Sequence, residues 1–225
     1  RGLQVTADVA LYQLILTDEA LSDFSSLYHV QPPLRTAADR DGLRAADVEL
    51  SDVRLPESAL LCPEGEGWPL LESVTDYGIV LLCGEAVGAM EALNEATLAY
   101  LKTRQQFGVP IGNFQVLQHR MVDMAIHLAQ ARAIAMLAAA TLSSAADPQD
   151  RRRMASAAKA RVGQAMRFIG QQAVQLHGGM GLSDELPVSH YVKRLTVIEL
   201  MLGDTDHHLA RFAGQPAFLD AATMA

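Results

Sequence analysis

The stretch Tyr100-Leu-Lys-Thr-Arg104-Gln-Gln-Phe107-Gly108-Val-Pro110-Ile111-Gly-Asn-Phe114-Gln115 stands between two long helical patterns and decides how the chain is read. Gly108 favours left-handed backbone and Pro110 lacks an N–H, so a helix arriving from the N-terminal side must stop here. Working backwards, one helical pattern runs from Trp68 to about Gln106. Leu71, Val74, Leu81, Leu82, Val87, Met90, Leu93, Thr97 and Leu101 recur in it at spacings that fit one face. At the usual rise such a helix is roughly 55–60 Å long. Working forwards, a second helix is predicted from about Phe114 to Leu142. A third should begin with Asp147 as N-cap and Pro148 as its first residue, and end at Gly178-Gly179. Pro187 opens a fourth, closed by Gly203, and a short fifth covers about Thr205 to Phe212. Long amphipathic helices with short connections predict an antiparallel four-helix bundle.

Ahead of Pro63-Glu64-Gly65-Glu66-Gly67 the pattern is different. Val9-Ala10-Leu11-Tyr12-Gln13-Leu14-Ile15-Leu16 reads as a mostly buried strand, and Phe24 to Val30 as a second, closed by Pro32-Pro33. Ala46 to Leu55 alternates polar and apolar residues, the period of a half-buried strand, and Pro56 ends it. The expected fold is therefore mainly α: part of an antiparallel β-domain over residues 1–62, then a C-terminal helical bundle over residues 63–225.

Composition narrows the function classes. Half of the 225 residues are hydrophobic but only 5% are aromatic, so the core must be built from Ala, Leu, Val and Met. The net charge of −8, with no block of one sign, argues against a nucleic-acid surface, which needs a basic stripe. Cys62 and Cys83 are too few for a disulfide framework and read as reduced thiols. No uninterrupted apolar run approaches the 18 or so residues of a membrane span, and no signal peptide is visible. The expectation is a cytoplasmic globular protein.

A second segment, Gln175-Leu-His177-Gly178-Gly179-Met-Gly181-Leu-Ser-Asp-Glu185-Leu-Pro187-Val188, joins the first in carrying a resemblance. The first, with Gln118-His119 after it, resembles the R-x-x-F-G-x-P-I-x-x-F-Q-x-x-Q-H segment of acyl-CoA dehydrogenases. The second resembles their Q-x-x-G-G-x-G-x-x-x-E-x-P-V segment. Glu64-Gly65-Glu66-Gly67-Trp68 resembles the G-x-G-W turn that opens the family's C-terminal domain. The resemblance implies an FAD-dependent dehydrogenase of acyl-CoA thioesters, with the N-terminal helical domain and the start of the β-domain having no counterpart here.

It also implies a set of cofactor-binding residues: Arg104, Phe107, Gln115, Gln175, Gly178 and Gly179. In the family, their equivalents reach the diphosphate and adenosine half of a flavin seated on the neighbouring subunit. The chemistry agrees, because a planar guanidinium suits a diphosphate and carboxamides both donate and accept. Each residue also has an ordinary structural reading. Arg104 could simply complement a helix C-terminus, and the glycine cluster could be a helix cap and turn.

The family reaction needs a carboxylate to take the α-proton while a hydride leaves the β-carbon. The two positions where members carry that base correspond to Leu202 and Gly78 here, and neither is a carboxylate. Asp204, two residues beyond Leu202, is the nearest substitute in the loop. It also reads as an N-cap, with Asp206 in the first turn behind it. Asp76 and Glu85 lie near the helix position, and His207-His208 diverge too far to hold one metal. The resemblance therefore implies no catalytic base and no metal. It points to the base-lacking small subunit of a heteromeric bacterial enzyme acting on fatty or steroid acyl-CoA. Its partners would be a homologous subunit, in a hetero- or homotetramer, and an electron-transfer flavoprotein. A self-sufficient homotetramer with a displaced Asp base, or a structural scaffold, are the alternatives.

Overall fold

The structure, a computed structural model, describes residues 59, 61–63, 65–144, 147–183 and 186–215. The three expected strands before Pro56 lie outside the described residues. The elements are α1 (Gly67–Thr103), β1 (Gln105–Gln106), β2 (Val109–Pro110), a 3₁₀ turn (Ile111–Asn113), α2 (Gln115–Ser143), α3 (Pro148–His177), a second 3₁₀ turn (Gly178–Leu182), α4 (Pro187–Leu200) and α5 (Thr205–Ala213). A boundary between two compact units crosses α1 between Val74 and Thr75. The bundle described below begins at Thr75.

Four contacts set the helix directions. The Tyr77 hydroxyl, early in α1, donates to the Leu142 carbonyl near the end of α2 at 3.3 Å. Asn94, later in α1, donates to the Met124 carbonyl, early in α2, at 3.3 Å. The Tyr100 hydroxyl reaches the His177 carbonyl at the end of α3. Lys159, in the first half of α3, donates to the Glu199 carbonyl near the end of α4 at 3.0 Å. Hence α1 and α3 run one way and α2 and α4 the other, which is the antiparallel bundle read from the connections.

The buried stripe of α1 includes Ile79, Cys83, Ala86, Met90, Leu93, Thr97 and Leu101. Of the residues expected on one face, Leu82, Met90, Leu93, Thr97 and Leu101 are buried, while Leu81 and Val87 sit at the rim and Leu71 and Val74 are exposed. Ala131, Ala135 and Ala138 of α2, and Ala155, Ala158, Ala165 and Ala173 of α3, are all buried. Small side chains let the helix backbones approach closely, which is how so few aromatics fill a core. Pro148 opens α3 as expected, but Asp147 makes no side-chain cap bond.

One boundary differs from expectation. α1 ends at Thr103 instead of Gln106, because Gln105 and Gln106 pair with Pro110 and Val109 in a two-residue hairpin. Its central residues, Phe107 and Gly108, have φ of 56° and 80°. Two consecutive left-handed residues match the right-handed twist of the flanking strands. Phe-Gly is not a common sequence for that turn, so helix periodicity masked it.

Candidate functional site

The hairpin carries the first motif. Arg104 lies one residue beyond α1, and its carbonyl accepts from the Ile111 N–H at 2.8 Å, closing the turn at its base. Phe107 holds a left-handed backbone that a bulky residue adopts only at a cost of order 1–3 kcal/mol. The residue is 93% exposed, and its ring meets that of Phe114 edge-on, with centroids 6.1 Å apart. Gln118 Nε2 donates to the Gly112 carbonyl at 2.9 Å, fixing the 3₁₀ turn before α2. Gln115, the first residue of α2, is exposed. No side chain caps that helix.

The second motif sits beside the first. Tyr100 stacks on His177 with ring centroids 4.4 Å apart. That contact joins the last turn of α1 to the last turn of α3, so Arg104 and Gln175–Gly179 lie at one end of the bundle. His177 is buried, and Nδ1 donates to the Ala173 carbonyl at 2.8 Å, while burial holds its pKa below the ordinary value. A shallow groove over this contact is lined by Ala96, Ala99, Tyr100, His177 and Val188. Tyr100 and His177 stand in the two motifs, but nothing in their spacing shows that they stack.

The three glycines of the second motif do three different things. Gly178 ends α3 with φ of 61°, and its N–H bonds the Gln175 carbonyl. A Cβ at Gly181 would stand 2.8 Å from the Val174 carbonyl, so this glycine serves packing. Gly179 meets nothing within 4 Å, leaving its backbone open to a ligand. Only Gly179 keeps the close-approach role without a competing structural one.

The opposite end of the bundle holds the two base positions. Gly78 lies in α1, and Leu202 lies in the turn between α4 and α5 with φ of 56°, followed by Gly203 at 97°. Lys159 of α3 shapes this turn from inside. It is 1% exposed, and Nζ donates to the carbonyls of Glu199, Met201 and Gly203 at 3.0, 2.9 and 2.7 Å. His208, fully buried, donates from Nε2 to the Leu202 carbonyl at 2.9 Å, and Ser156 approaches its Nδ1 at 3.4 Å. Burial first, then the Lys159 and Arg211 charges among other contributions, outweigh the Leu202 bond and lower the His208 pKa to about 4. The buried Cys83 thiol is pushed up to about 12 by desolvation, against a smaller opposing pull from Lys159.

Glu199 Oε1, beside the turn, accepts from the Thr205 N–H at 3.2 Å and from Arg167 at 3.3 Å, and the three candidate carboxylates are also engaged. Asp204 Oδ1 accepts from the His207 N–H at 2.8 Å and caps α5. Asp76 is buried between Arg151, at 3.4 Å, and Arg211, at 2.8 Å. Glu85 takes two bonds from Arg194, at 2.5 and 2.8 Å. Among the described residues no group of three His, Cys, Asp or Glu could hold a metal. Eighteen residues of α3 separate Lys159 from His177, so the two ends are about 27 Å apart.

Comparison with known proteins agrees with this geometry. The family described as acyl-CoA dehydrogenase, C-terminal domain, matches residues 65–215. The acyl-CoA dehydrogenase IpdE2 of Mycolicibacterium smegmatis is 35% identical over 146 residues, covering 64% of this chain and 44% of that protein. Butyryl-CoA dehydrogenase of Megasphaera elsdenii superposes with a TM-score of 0.69 at 27% identity, over 72% of this chain and 42% of that one. A chain of the ChsE4-ChsE5 complex from Mycobacterium tuberculosis superposes with a TM-score of 0.59 at 25% identity, over 66% and 40%. The chain thus spans less than half the length of these relatives. A separate likeness, 87% identity over 45 residues, is to a dihydroorotase-like protein of Pseudomonas putida, covering 20% of this chain and 11% of that protein. With the two motifs at one end of an antiparallel bundle and residues 65–215 matched throughout, the chain belongs to the acyl-CoA dehydrogenase family, as a carrier of its C-terminal domain.

Proposed function

We propose that this chain works in an FAD-dependent acyl-CoA dehydrogenase, completing the flavin site of a partner subunit while contributing no base of its own. The observation that carries the reading is the committed state of the candidate carboxylates Asp204, Asp76 and Glu85. Leu202 and Gly78 cannot take a proton, Asp204 caps α5, and Asp76 and Glu85 are ion-paired. A general base must reach the proton it removes, and a carboxylate held by two guanidinium groups is poorly placed to do so.

The residues at the hairpin end suit the flavin. Arg104, Gln115 and Gln175 are exposed donors, Phe107 is held out in a strained conformation, and Gly179 leaves its backbone open. Arg104 would bind the diphosphate, and the two glutamines and Gly179 its neighbouring polar atoms. FAD, when bound, accepts the hydride that leaves the acyl β-carbon. Since the base positions lie about 27 Å away along α3, one chain's donors and its own α4–α5 turn serve different flavins. That supports a composite site, and the ChsE4-ChsE5 complex offers a structural parallel of two different chains. The acyl-CoA substrate, a homologous partner subunit and an electron-transfer flavoprotein as electron acceptor belong to the same reading.

Outside the family segment, only the residues ahead of 65 are numerous enough to hold the 45-residue dihydroorotase-like stretch. We therefore read the start of the chain as foreign to the dehydrogenase.

The test has two arms. The purified chain, alone, should show no turnover of acyl-CoA with ferrocenium as acceptor. In the complex with its homologous subunit, Arg104→Ala should weaken FAD binding by about one to two orders of magnitude, the worth of one charge-assisted pair. Lys at that position should restore only part. Turnover by the chain alone refutes the missing base, and equal FAD affinity refutes the composite site.

A further inference from the structure

A line of side chains runs from α1 through α5 and α3 to the α4–α5 turn. Asp76, fully buried, pairs with Arg211 of α5 at 2.8 Å and with Arg151 of α3 at 3.4 Å. Arg211 Nη1 donates to the Ser156 hydroxyl at 3.0 Å. That hydroxyl stands 3.4 Å from Nδ1 of His208, whose Nε2 donates to the Leu202 carbonyl at 2.9 Å. Ser156 and His208 are fully buried, so their polar atoms depend on these neighbours. The direction of every bond is fixed from both ends. A guanidinium only donates, so the Ser156 oxygen accepts from Arg211 and its own proton is free to point at Nδ1. A carbonyl only accepts, so the ring hydrogen sits on Nε2 and Nδ1 is bare. Both ends demand the same neutral tautomer.

The turn rests against this ring. A Cβ on Gly203 would stand 3.1 Å from His208 Nε2 and 2.5 Å from His207 Cδ2, so the backbone there lies close to both imidazoles. Lys159 takes the carbonyls of Glu199, Met201 and Gly203, and the Leu202 carbonyl goes to His208. Leu202, with φ of 56°, is a left-handed leucine, which its surroundings must hold in place.

We propose that Ser156 and His208 form an acid-sensitive latch on the α4–α5 turn: with a neutral imidazole the line from Arg211 closes on the Leu202 carbonyl, and a second ring proton opens it and frees the turn. That proton would go to Nδ1, where the Ser156 hydroxyl already points, and the hydroxyl would have to turn away while Arg211 still donates to its oxygen. The cationic groups acting on the ring are Lys159 of α3 and His207 and Arg211 of α5. The surrounding carboxylates are engaged: Asp76 of α1 with two arginines, Glu199 of α4 with the Thr205 N–H and Arg167, and Asp204 with the His207 N–H. The Cys83 thiol of α1, pushed up to about 12, is neutral throughout. Burial, opposed by the Leu202 bond and reinforced by the cations, lowers the ring's pKa from 6.5 to about 4. The folded value is depressed, so the latched form is favoured fully above pH 6.5 and loses ground as pH falls towards 4. An open form with an ordinary imidazole then gains about twentyfold on the latched form between pH 7 and pH 5. This inference stands on contacts within the chain and is independent of whether the chain has a base.

The test follows the Thr205 N–H, which donates to Glu199 Oε1 across the turn at 3.2 Å. In the full chain its protection against hydrogen exchange should fall about twentyfold from pH 7 to pH 5. Low urea should leave that exchange unchanged, the mark of local opening rather than unfolding. His208→Gln should keep the turn closed at both pH values, because a carboxamide donates to Leu202 and accepts from Ser156 without titrating. His208→Leu should leave it open at both. Nitrogen NMR of the parent chain at pH 7 should place the His208 hydrogen on Nε2 alone, a measurement that needs no variant to fold. Protection in the parent chain that stays constant from pH 7 to pH 5 overturns the proposal. So does an equal fall in His208→Gln, which would assign the effect to Glu199, and so does a hydrogen on Nδ1 at pH 7.

Discussion

Lys159→Met is the perturbation that best tests how the α4–α5 turn is held. Methionine keeps the length and apolar stem of lysine, so packing changes little, while the ammonium disappears. Three part-buried carbonyls, those of Glu199, Met201 and Gly203, lose their common donor. Hydrogen bonds from a charged donor contribute about 1.5–3 kcal/mol each. Three at the lower end give about 4–5 kcal/mol, and no longer burying an ammonium returns part of that. The expected net loss is about 2–3 kcal/mol. For a folding unit of this size that lowers Tm by roughly 4–12 °C. Replacing a buried ion pair by apolar residues is often harmless because both charges leave together. Here the acceptors are backbone and stay behind. Thermal melts of the two chains measure the loss, and amide exchange at residues 201–204 should accelerate, since Leu202 and Gly203 lose what holds their left-handed backbone. A variant as stable as the parent, with unchanged exchange, would refute the reasoning and leave Lys159 a buried spectator.

Three further outcomes are expected. His208 has a folded pKa near 4 against an ordinary 6.5, so the unfolded chain binds the proton first; stability should be full above pH 6.5, fall by up to about 3 kcal/mol on acidification to pH 4, and level off below, and His208→Gln should flatten that slope in denaturant titrations. Cys83, buried with its thiol pushed up to about 12, should resist alkylation in the native chain, so a thiol reagent should count one accessible group, Cys62, and two only after denaturation. Asp204→Ala should lower stability by about 1 kcal/mol through loss of the α5 cap while leaving turnover of the assembled enzyme unchanged, and a loss of activity by orders of magnitude would make Asp204 a base after all.

The helical half was legible because its signals are local. Apolar spacing, Pro148 and Pro187 at helix starts, and Gly178 and Gly203 at helix ends each act within a turn or two, and the observed helices follow them closely. Asp204 as a cap was legible for the same reason. The motif residues Arg104, Phe107, Gln115, Gln175 and Gly179 could be picked out as a pattern, and the absence of a carboxylate at Leu202 and Gly78 is a property of the sequence alone.

What the sequence did not contain is which distant residues meet. The stacking of Tyr100 on His177, 77 residues apart, brings the two motifs to one end of the bundle. The bonds from Lys159 to carbonyls more than 40 residues away leave no trace in the spacing, because a backbone carbonyl has no residue identity. The commitment of Asp76 and Glu85 to arginines on other helices is likewise a product of packing. Sequence determines the local geometry of each helix, while long-range contacts, chosen by which faces bury most apolar surface together, decide which residues share a site.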